Sequence, residues 1–179
     1  MKLLRSTLTL ALIGVLSLGF VQKSNAQMSK ATPTIVGVAA ENEVFSTLVA
    51  AVKAADLVGT LNGTGPFTVF APTNDAFGKL PDGTVETLLK PENKASLTGI
   101  LTYHVVAGKF MAADVVKAIQ DNNNAFVVQT VQGSPLTLSL QDGSVILVDA
   151  KGNSSKITAT DVNASNGVIH VIDTVVLPE

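Results

Sequence analysis

The spacing of the apolar residues changes close to Asn124, and this change restricts the chain to few kinds of fold. Before this point apolar residues recur at steps of three and four, which is typical of helices that bury one face. After it they alternate with polar residues, as in Leu136, Leu138 and Leu140, which is typical of half-buried strands. Helices followed by a run of neighbouring strands predict an α+β domain.

Helical spacing is clearest between Asn93 and His104. Four residues of this segment lie on one continuous face: Leu97, Ile100, Leu101 and His104. Asn42 and Thr73 each stand at a position where a helix N-cap is expected. The predicted helices are Asn42–Val58, a short helix after Thr73, Thr84–Leu89, Asn93–His104 and Ala112–Ile119.

The second half of the chain predicts strands joined by tight turns. Asp142-Gly143 is a strong signal for a two-residue hairpin, because both central positions of a type I′ turn need a positive φ. The predicted strands are Phe126–Val131, Leu136–Gln141, Val145–Val148, Lys156–Thr160, Val168–Ile172 and Thr174–Leu177. We expect an antiparallel meander, and we expect the single early strand, Phe67–Ala71, to join it.

The N-terminus has the layout of a secretory signal peptide. Lys2 and Arg5 supply positive charge, Leu8–Val21 is an apolar run of 14 residues, and Ser24–Ala26 supplies small residues for cleavage. The apolar run is shorter than the ~20 residues that a membrane-spanning helix needs, so the protein is not expected to span a membrane. We predict a secreted or periplasmic protein with a signal peptide over residues 1–26, a flexible N-terminus over 27–33 and a single domain over 34–179.

Charge and composition exclude several classes of function. Cleavage after Ala26 would leave nine basic residues against 14 acidic ones, and this balance excludes nucleic acid as an expected partner. The chain contains no cysteine. Thiol catalysis, iron–sulfur clusters, cysteine-ligated zinc and disulfide bonds are therefore excluded.

Catalysis and metal binding lack the residue patterns they need. The two histidines, His104 and His170, lie among apolar residues, and each is predicted to be a neutral, hydrogen-bonded residue of the core. No Gly-x-Ser-x-Gly elbow occurs in the chain. Residues 121–124 begin like a calcium loop, but Ala125 and Phe126 stand where that loop needs an oxygen ligand and a glycine. We predict no enzymatic activity, no metal and no cofactor.

Several blocks of the sequence resemble those of the fasciclin domain family, in the order that the family has them. Thr68–Phe77 resembles the first signature block, and Ile100–Lys109 resembles the block that carries a Tyr-His pair. Asn166–Asp173 resembles the second signature block, closed by Val175–Pro178. Thr34–Asn62 is similar to the opening helices of the family. The resemblance covers nearly all of the predicted mature chain.

The resemblance implies a wedge-shaped β-sandwich flanked by several α-helices, in a secreted single-domain protein of the bacterial type. It implies a non-enzymatic module for cell adhesion, with a cell-surface, matrix or biofilm protein or polymer as its partner. The alternative is a carrier of an apolar small molecule such as a carotenoid or a lipid. Some fasciclin-like proteins bind carotenoid, and apolar pockets between helices and sheets are common.

Two residue pairs are the candidate binding residues that the resemblance implies. In animal members of the family, a Tyr-His pair and an Asp-Ile pair are implicated in integrin binding. Here the first pair is Tyr103-His104, and the second is Asp161-Val162, with Val in place of Ile. Tyr103 and His104 are predicted to stabilise the fold rather than to contact a partner directly, because His104 lies on a core face. Asp161 and Val162 are predicted to lie in an exposed loop.

Overall fold

A computed structural model of the chain describes residues 32–178. The predicted signal peptide and most of the predicted flexible N-terminus lie outside the described residues, so both stay predictions, as do the domain boundaries. The described helices are α1 (Ile35–Ala40), α2 (Ser46–Ala54), α3 (Val58–Leu61), α4 (Asn74–Gly78), α5 (Thr84–Leu88), α6 (Lys94–Tyr103) and α7 (Ala112–Asp121), with 3₁₀ turns at Glu43–Phe45 and Pro91–Asn93. The strands are β1 (Phe67–Pro72), β2 (Val105–Ala107), β3 (Phe126–Gln129), β4 (Pro135–Gln141), β5 (Ser144–Val148), β6 (Ser154–Ala164) and β7 (Gly167–Ile172).

The strands are neighbours in the order β2-β1-β7-β6-β5-β4-β3. Strands β3 to β7 form an antiparallel meander, and β1 joins it by pairing in parallel with β7. The first residues of β6 pair with β5 and its later residues pair with β7, so β6 belongs to two sheets. One bridge between Val106 and Thr130 links the two ends of the strand order. The α+β sandwich with flanking helices, and the place of the early strand in it, are confirmed.

Strands β1 and β7 lie between two cores and are buried on both faces. Val69 of β1 and Ile169 of β7 pack into the core formed with α1, α2 and α6. Phe70 and Ile172, which point the other way along the same strands, pack into the core formed with α7 and strands β3 to β5. All six residues of β7 are buried. This arrangement explains why both strands are mostly apolar in the sequence, with Thr68 and His170 as buried polar exceptions.

The helix predicted over Asn42–Val58 is interrupted twice. Asn42 caps a 3₁₀ turn, with its Oδ1 accepting the N–H of Val44 at 3.3 Å, and α2 begins only at Ser46. The chain then leaves α2 at Asp56, whose φ of 60° lies in the left-handed region and cannot continue a right-handed helix. The apolar spacing shows which face is buried, but it does not show these two breaks.

The prediction of a last strand at Thr174–Leu177 is wrong. We refer to residues 174–178 as the C-terminal strap. Its backbone N–H groups bind side chains of the domain instead of a neighbouring strand: Thr174 binds Ser155 Oγ at 3.2 Å, Val176 binds His104 Nε2 at 3.2 Å and Leu177 binds Asp149 Oδ2 at 3.0 Å. The segment is apolar because Val175 and Val176 are buried, with exposed fractions of 4% and 1%.

Strand β2 is absent from the sequence predictions. It holds three residues directly after α6 and its C-cap His104, and three residues are too few to show an alternating pattern. It forms because β1 lies beside it: Val69 pairs with Val105, and Phe67 pairs with Ala107.

Candidate functional site

His104 joins α6 to the C-terminal strap. It is the C-cap of α6, and its side chain is buried, with a residue exposure of 2%. Nδ1–H donates to the carbonyl oxygen of Ile100 at 2.8 Å, and Nε2 accepts the N–H of Val176 at 3.2 Å, which assigns the neutral tautomer. Burial lowers the pKa of His104 from its ordinary value of 6.5 to about 4, while the bond to Ile100 acts in the opposite direction.

Tyr103, the last residue of α6, points into the core on the side of β3 to β5. Its residue exposure is 0%. The hydroxyl donates to the carbonyl oxygen of Pro135 at 2.9 Å and accepts the N–H of Ala150 at 3.2 Å. One phenol therefore connects α6 to the start of β4 and to the turn after β5. A buried Tyr hydroxyl with both kinds of partner is a stable arrangement.

The prediction that Asp161 and Val162 lie in an exposed loop is wrong. Both are half-buried residues of β6, which continues to Ala164 because a register shift keeps it paired with β7. Asp161 has a φ of 58°, and its Oδ1 accepts the N–H of Ala112, the first residue of α7, at 2.8 Å. Val162 packs against the core on the helical side. The pair stabilises the junction of β6 with its neighbours, including the start of α7.

His170 also contributes to the junction between β6, β7 and the start of α7. Its ring is buried on β7, stacked on Phe70 with the ring centroids 5.8 Å apart. Nε2–H donates to the carbonyl oxygen of Phe110 at 2.8 Å, and Nδ1 lies 3.4 Å from the N–H of Asp161. Both histidines are thus buried and hydrogen-bonded to backbone groups, as the sequence predicts.

Sequence analysis does not single out Asp149, although it is one of the few buried polar residues. Its carboxylate accepts the backbone N–H groups of Lys151, Asn153 and Leu177 and the side-chain amide of Asn153, at 2.8 to 3.0 Å. The nearby Gly152-Asn153 turn is the signal that could have found it, since Asp commonly binds the backbone of a following turn. Its contact with Leu177 depends on the tertiary structure.

The four candidate binding residues therefore serve two separate junctions. Tyr103 and His104 hold the C-terminal strap and the ends of β4 and β5, whereas Asp161 and Val162 hold β6 against α7 and the helical side. A role of any of the four in binding a partner stays a prediction. Tyr103 and His104 have almost no exposed surface, so such a role would pass through the surface residues that they position.

A small apolar cavity lies between the first helices and β1. Its lining includes Ile35, Leu48, Val52, Val69 and His104, and its volume is about 30 Å³. Pockets for drug-sized ligands measure ~300–1,000 Å³. A carotenoid or a lipid would fit only if α1 and α2 moved away from β1.

Two further findings concern metals and membranes. Within residues 32–178, no three His, Asp or Glu side chains are grouped so that they could hold a metal ion. In the same part of the chain, no helix has the length and apolar character needed to cross a membrane.

Residues 43–178 match the Fasciclin domain family, and the chain belongs to this family. Over 145 residues it is 59% identical to Protein sll1483 of Synechocystis sp., a match that covers 81% of this chain and 73% of that protein. Over 146 residues it is 37% identical to the Cell surface glycolipoprotein MPB83 of Mycobacterium bovis, covering 78% of this chain and 58% of that protein.

A solved structure shares the fold. It is the FAS1 domain pair of the insect cell adhesion molecule Fasciclin I, which matches with a TM-score of 0.73 and 21% sequence identity. The match covers 82% of this chain and 51% of the domain pair. At this identity the likeness shows the fold alone. This fold agrees with the one implied by the fasciclin-like sequence blocks.

Proposed function

We propose that this chain is an exported, non-enzymatic fasciclin domain that attaches to a cell-surface, matrix or biofilm partner. The observation that carries the proposal is membership of the fasciclin family, whose members here include a cell surface glycolipoprotein and, by fold, a domain pair of a cell adhesion molecule. The commitment of both imidazoles to backbone hydrogen bonds supports a binding function over a catalytic one.

Binding to intact surfaces tests this proposal. The full chain, produced in a bacterial host with a fluorescent label, is titrated against intact cells and extracellular polymer from the organism that encodes it. We expect saturable binding that unlabelled protein displaces. A signal that rises linearly with concentration, or that unlabelled protein does not displace, would contradict adhesion. Export is tested separately, by comparing the amount of this protein in the extracellular and periplasmic fractions with the amount in the cell lysate.

The apolar cavity supports a second candidate, a carrier of an apolar small molecule. The cavity has an almost wholly apolar lining, but its volume of about 30 Å³ would have to grow roughly tenfold to hold a drug-sized ligand. Mass spectrometry of the protein purified from its native source decides between the two candidates. A bound pigment or lipid at one molecule per chain would replace adhesion by transport as the main function.

A further inference from the structure

A surface groove is lined in part by residues of α6, the helix that ends at Tyr103 and His104. We refer to it as the α6 groove, and we define it by its lining residues: Ala95, Ser96, Gly99, Ile100, Gln132, Lys151, Leu177 and Pro178. It lies between α6 and the C-terminal strap and has a volume of about 480 Å³. This is within the ~300–1,000 Å³ of typical ligand pockets, and far larger than the apolar cavity beside β1.

The walls of the α6 groove are held by the buried Tyr-His pair. Ile100, in the groove lining, accepts the Nδ1–H bond of His104. Leu177 and Lys151 directly follow Val176 and Ala150, whose N–H groups bind His104 Nε2 and the Tyr103 hydroxyl. The two buried side chains therefore fix the distance between α6, the strap and the turn that carries Lys151. They are positioning residues for this surface.

The charge of the groove indicates what it can bind. Among the lining residues that lie within 32–178, Lys151 is the one that carries a charge, and Ser96 and Gln132 add neutral hydrogen-bond donors. Within residues 32–178 the side chain of Lys151 forms no ion pair. The nearby Asp149 carboxylate is already bound to four N–H donors. The described lining residues thus contribute a cation and no carboxylate, and this favours an anionic partner, although the chain as a whole carries a net charge of −2.

The floor of the groove is open and partly apolar. A Cβ atom added at Gly99 would meet no other atom within 4 Å, and Ile100 and Leu177 are half-buried beside it. There is thus room for an apolar side chain of a partner, next to the position beside Lys151 where a carboxylate of the partner would lie. Resting on the proposed adhesive function, we propose that the α6 groove binds an extended acidic segment of a partner polypeptide. In this complex a partner carboxylate pairs with Lys151, and an apolar partner side chain lies over Gly99 and Ile100.

Two labelled peptides test the groove with the full chain. One alternates leucine and glutamate, and the other has glutamine in place of every glutamate. By fluorescence anisotropy we expect the acidic peptide to bind about threefold to fivefold more tightly, the ratio that an ion pair with an exposed lysine gives. We expect Lys151→Gln to remove this difference, and Lys90→Gln, at an exposed lysine outside the groove, to keep it.

Filling the groove separates this proposal from loss of the fold. Gly99→Phe places a ring in the open space, so it should abolish binding of both peptides while the thermal midpoint stays close to that of the parent chain. Gly78→Phe is the matched control, because Gly78 lies in α4 and its added Cβ also meets nothing within 4 Å. Tyr103→Phe should lower the affinity for both peptides by the same factor. The substitution alters the position of the groove lining but leaves the charge of Lys151 in place.

The outcomes distinguish this proposal from the proposed function. Equal affinity for the two peptides, no binding of either, or unchanged binding by Gly99→Phe would overturn the groove as an acidic-peptide site. If Gly99→Phe then still attached to cells as the parent chain does, adhesion would stand and use another surface. Loss of cell attachment by Gly99→Phe but not by Gly78→Phe would support both.

Discussion

The Nε2 atom of His104 accepts the backbone N–H of Val176 at 3.2 Å, although the two residues are 72 positions apart in the chain. A neutral imidazole can accept this bond only while Nε2 carries no proton. The attachment of the C-terminal strap to α6 is therefore tied to the protonation state of one buried side chain. A protonated ring would present two donors, of which only Nδ1–H would have an acceptor among the groups described here.

Acid should weaken the fold through His104. In the unfolded chain His104 takes up a proton near pH 6.5, whereas burial lowers its pKa in the folded chain to about 4. The contribution of neutral His104 to the free energy of unfolding is therefore fully present above about pH 6.5. It decreases as the pH falls, and below about pH 4 it decreases no further. A shift of this size corresponds to about 3 kcal/mol in the free energy of unfolding, at 1.36 kcal/mol per pKa unit. Urea unfolding measured across this pH range checks the prediction.

His104→Gln is the control for this pH dependence. Gln does not titrate, so the variant should show a shallower fall in stability between about pH 6.5 and pH 4. It should also have a lower thermal midpoint at neutral pH, because a flexible amide presents its donor and acceptor in a different geometry from the imidazole and packs less well in the buried site. A slope as steep as that of the parent chain would mean that other groups cause the acid sensitivity.

Tyr103→Phe should lower the free energy of unfolding by about 1–3 kcal/mol. The change removes only the hydroxyl, which leaves the carbonyl of Pro135 and the N–H of Ala150 without this part-buried partner. Ser46→Ala removes a hydroxyl of an exposed residue, bonded to Asn74 at 3.2 Å, and should cost much less. Urea unfolding of both variants gives the comparison. Equal losses would show that the Tyr103 bonds contribute no more than a surface hydrogen bond.

Gly167→Ala should be strongly destabilising, by about 3 kcal/mol or more. The added Cβ would lie 2.0 Å from the carbonyl oxygen of Phe67, a backbone atom of the strand that pairs with β7. The cost is steric and would force β1 and β7 apart at their first pair. Gly59→Ala is the matched control, since a Cβ there meets nothing within 4 Å. The prediction would be wrong if circular dichroism melts placed both variants at the same thermal midpoint.

Asp161 should contribute to stability through α7. Asp161→Ala removes the acceptor for the N–H of Ala112 and leaves a residue with φ of 58° that alanine adopts poorly, at a cost of about 2 kcal/mol. Asp161→Asn keeps an acceptor and tolerates this φ, so it should cost less than half as much. Chemical unfolding of both variants tests this order. Asparagine proving as costly as alanine would mean that the negative charge at the N-terminus of α7 is what matters.

Local chemistry explains why several elements are predictable from sequence. The hairpin at Asp142-Gly143 forms as expected, with both residues at positive φ, 51° and 74°. Thr73 caps α4 by accepting the N–H of Ala76 at 3.3 Å. In each case the residues that decide the conformation are at most three positions apart. Burial of both histidines is also readable, because each has apolar neighbours at helical or strand spacing.

The roles of the candidate site residues depend on partners that are distant in the chain. Asp161 looks like a loop residue because its function as a cap belongs to a helix that begins 49 positions earlier, at Ala112. Apolar residues of the C-terminal strap look like a strand because the pattern reports burial and not the partner of each N–H group. The α6 groove combines residues of a helix, two turns and the strap, so no spacing in the sequence indicates it.

The amino-acid sequence alone determines most of the helices and strands, the tight turns and which residues are buried, because these follow from interactions between near neighbours and from apolar periodicity. Tertiary structure alone decides which buried polar group meets which backbone group, and hence that Tyr103 and His104 hold the strap beside a groove. A buried donor or acceptor must find a partner wherever the folded chain supplies one, and that place is set by packing.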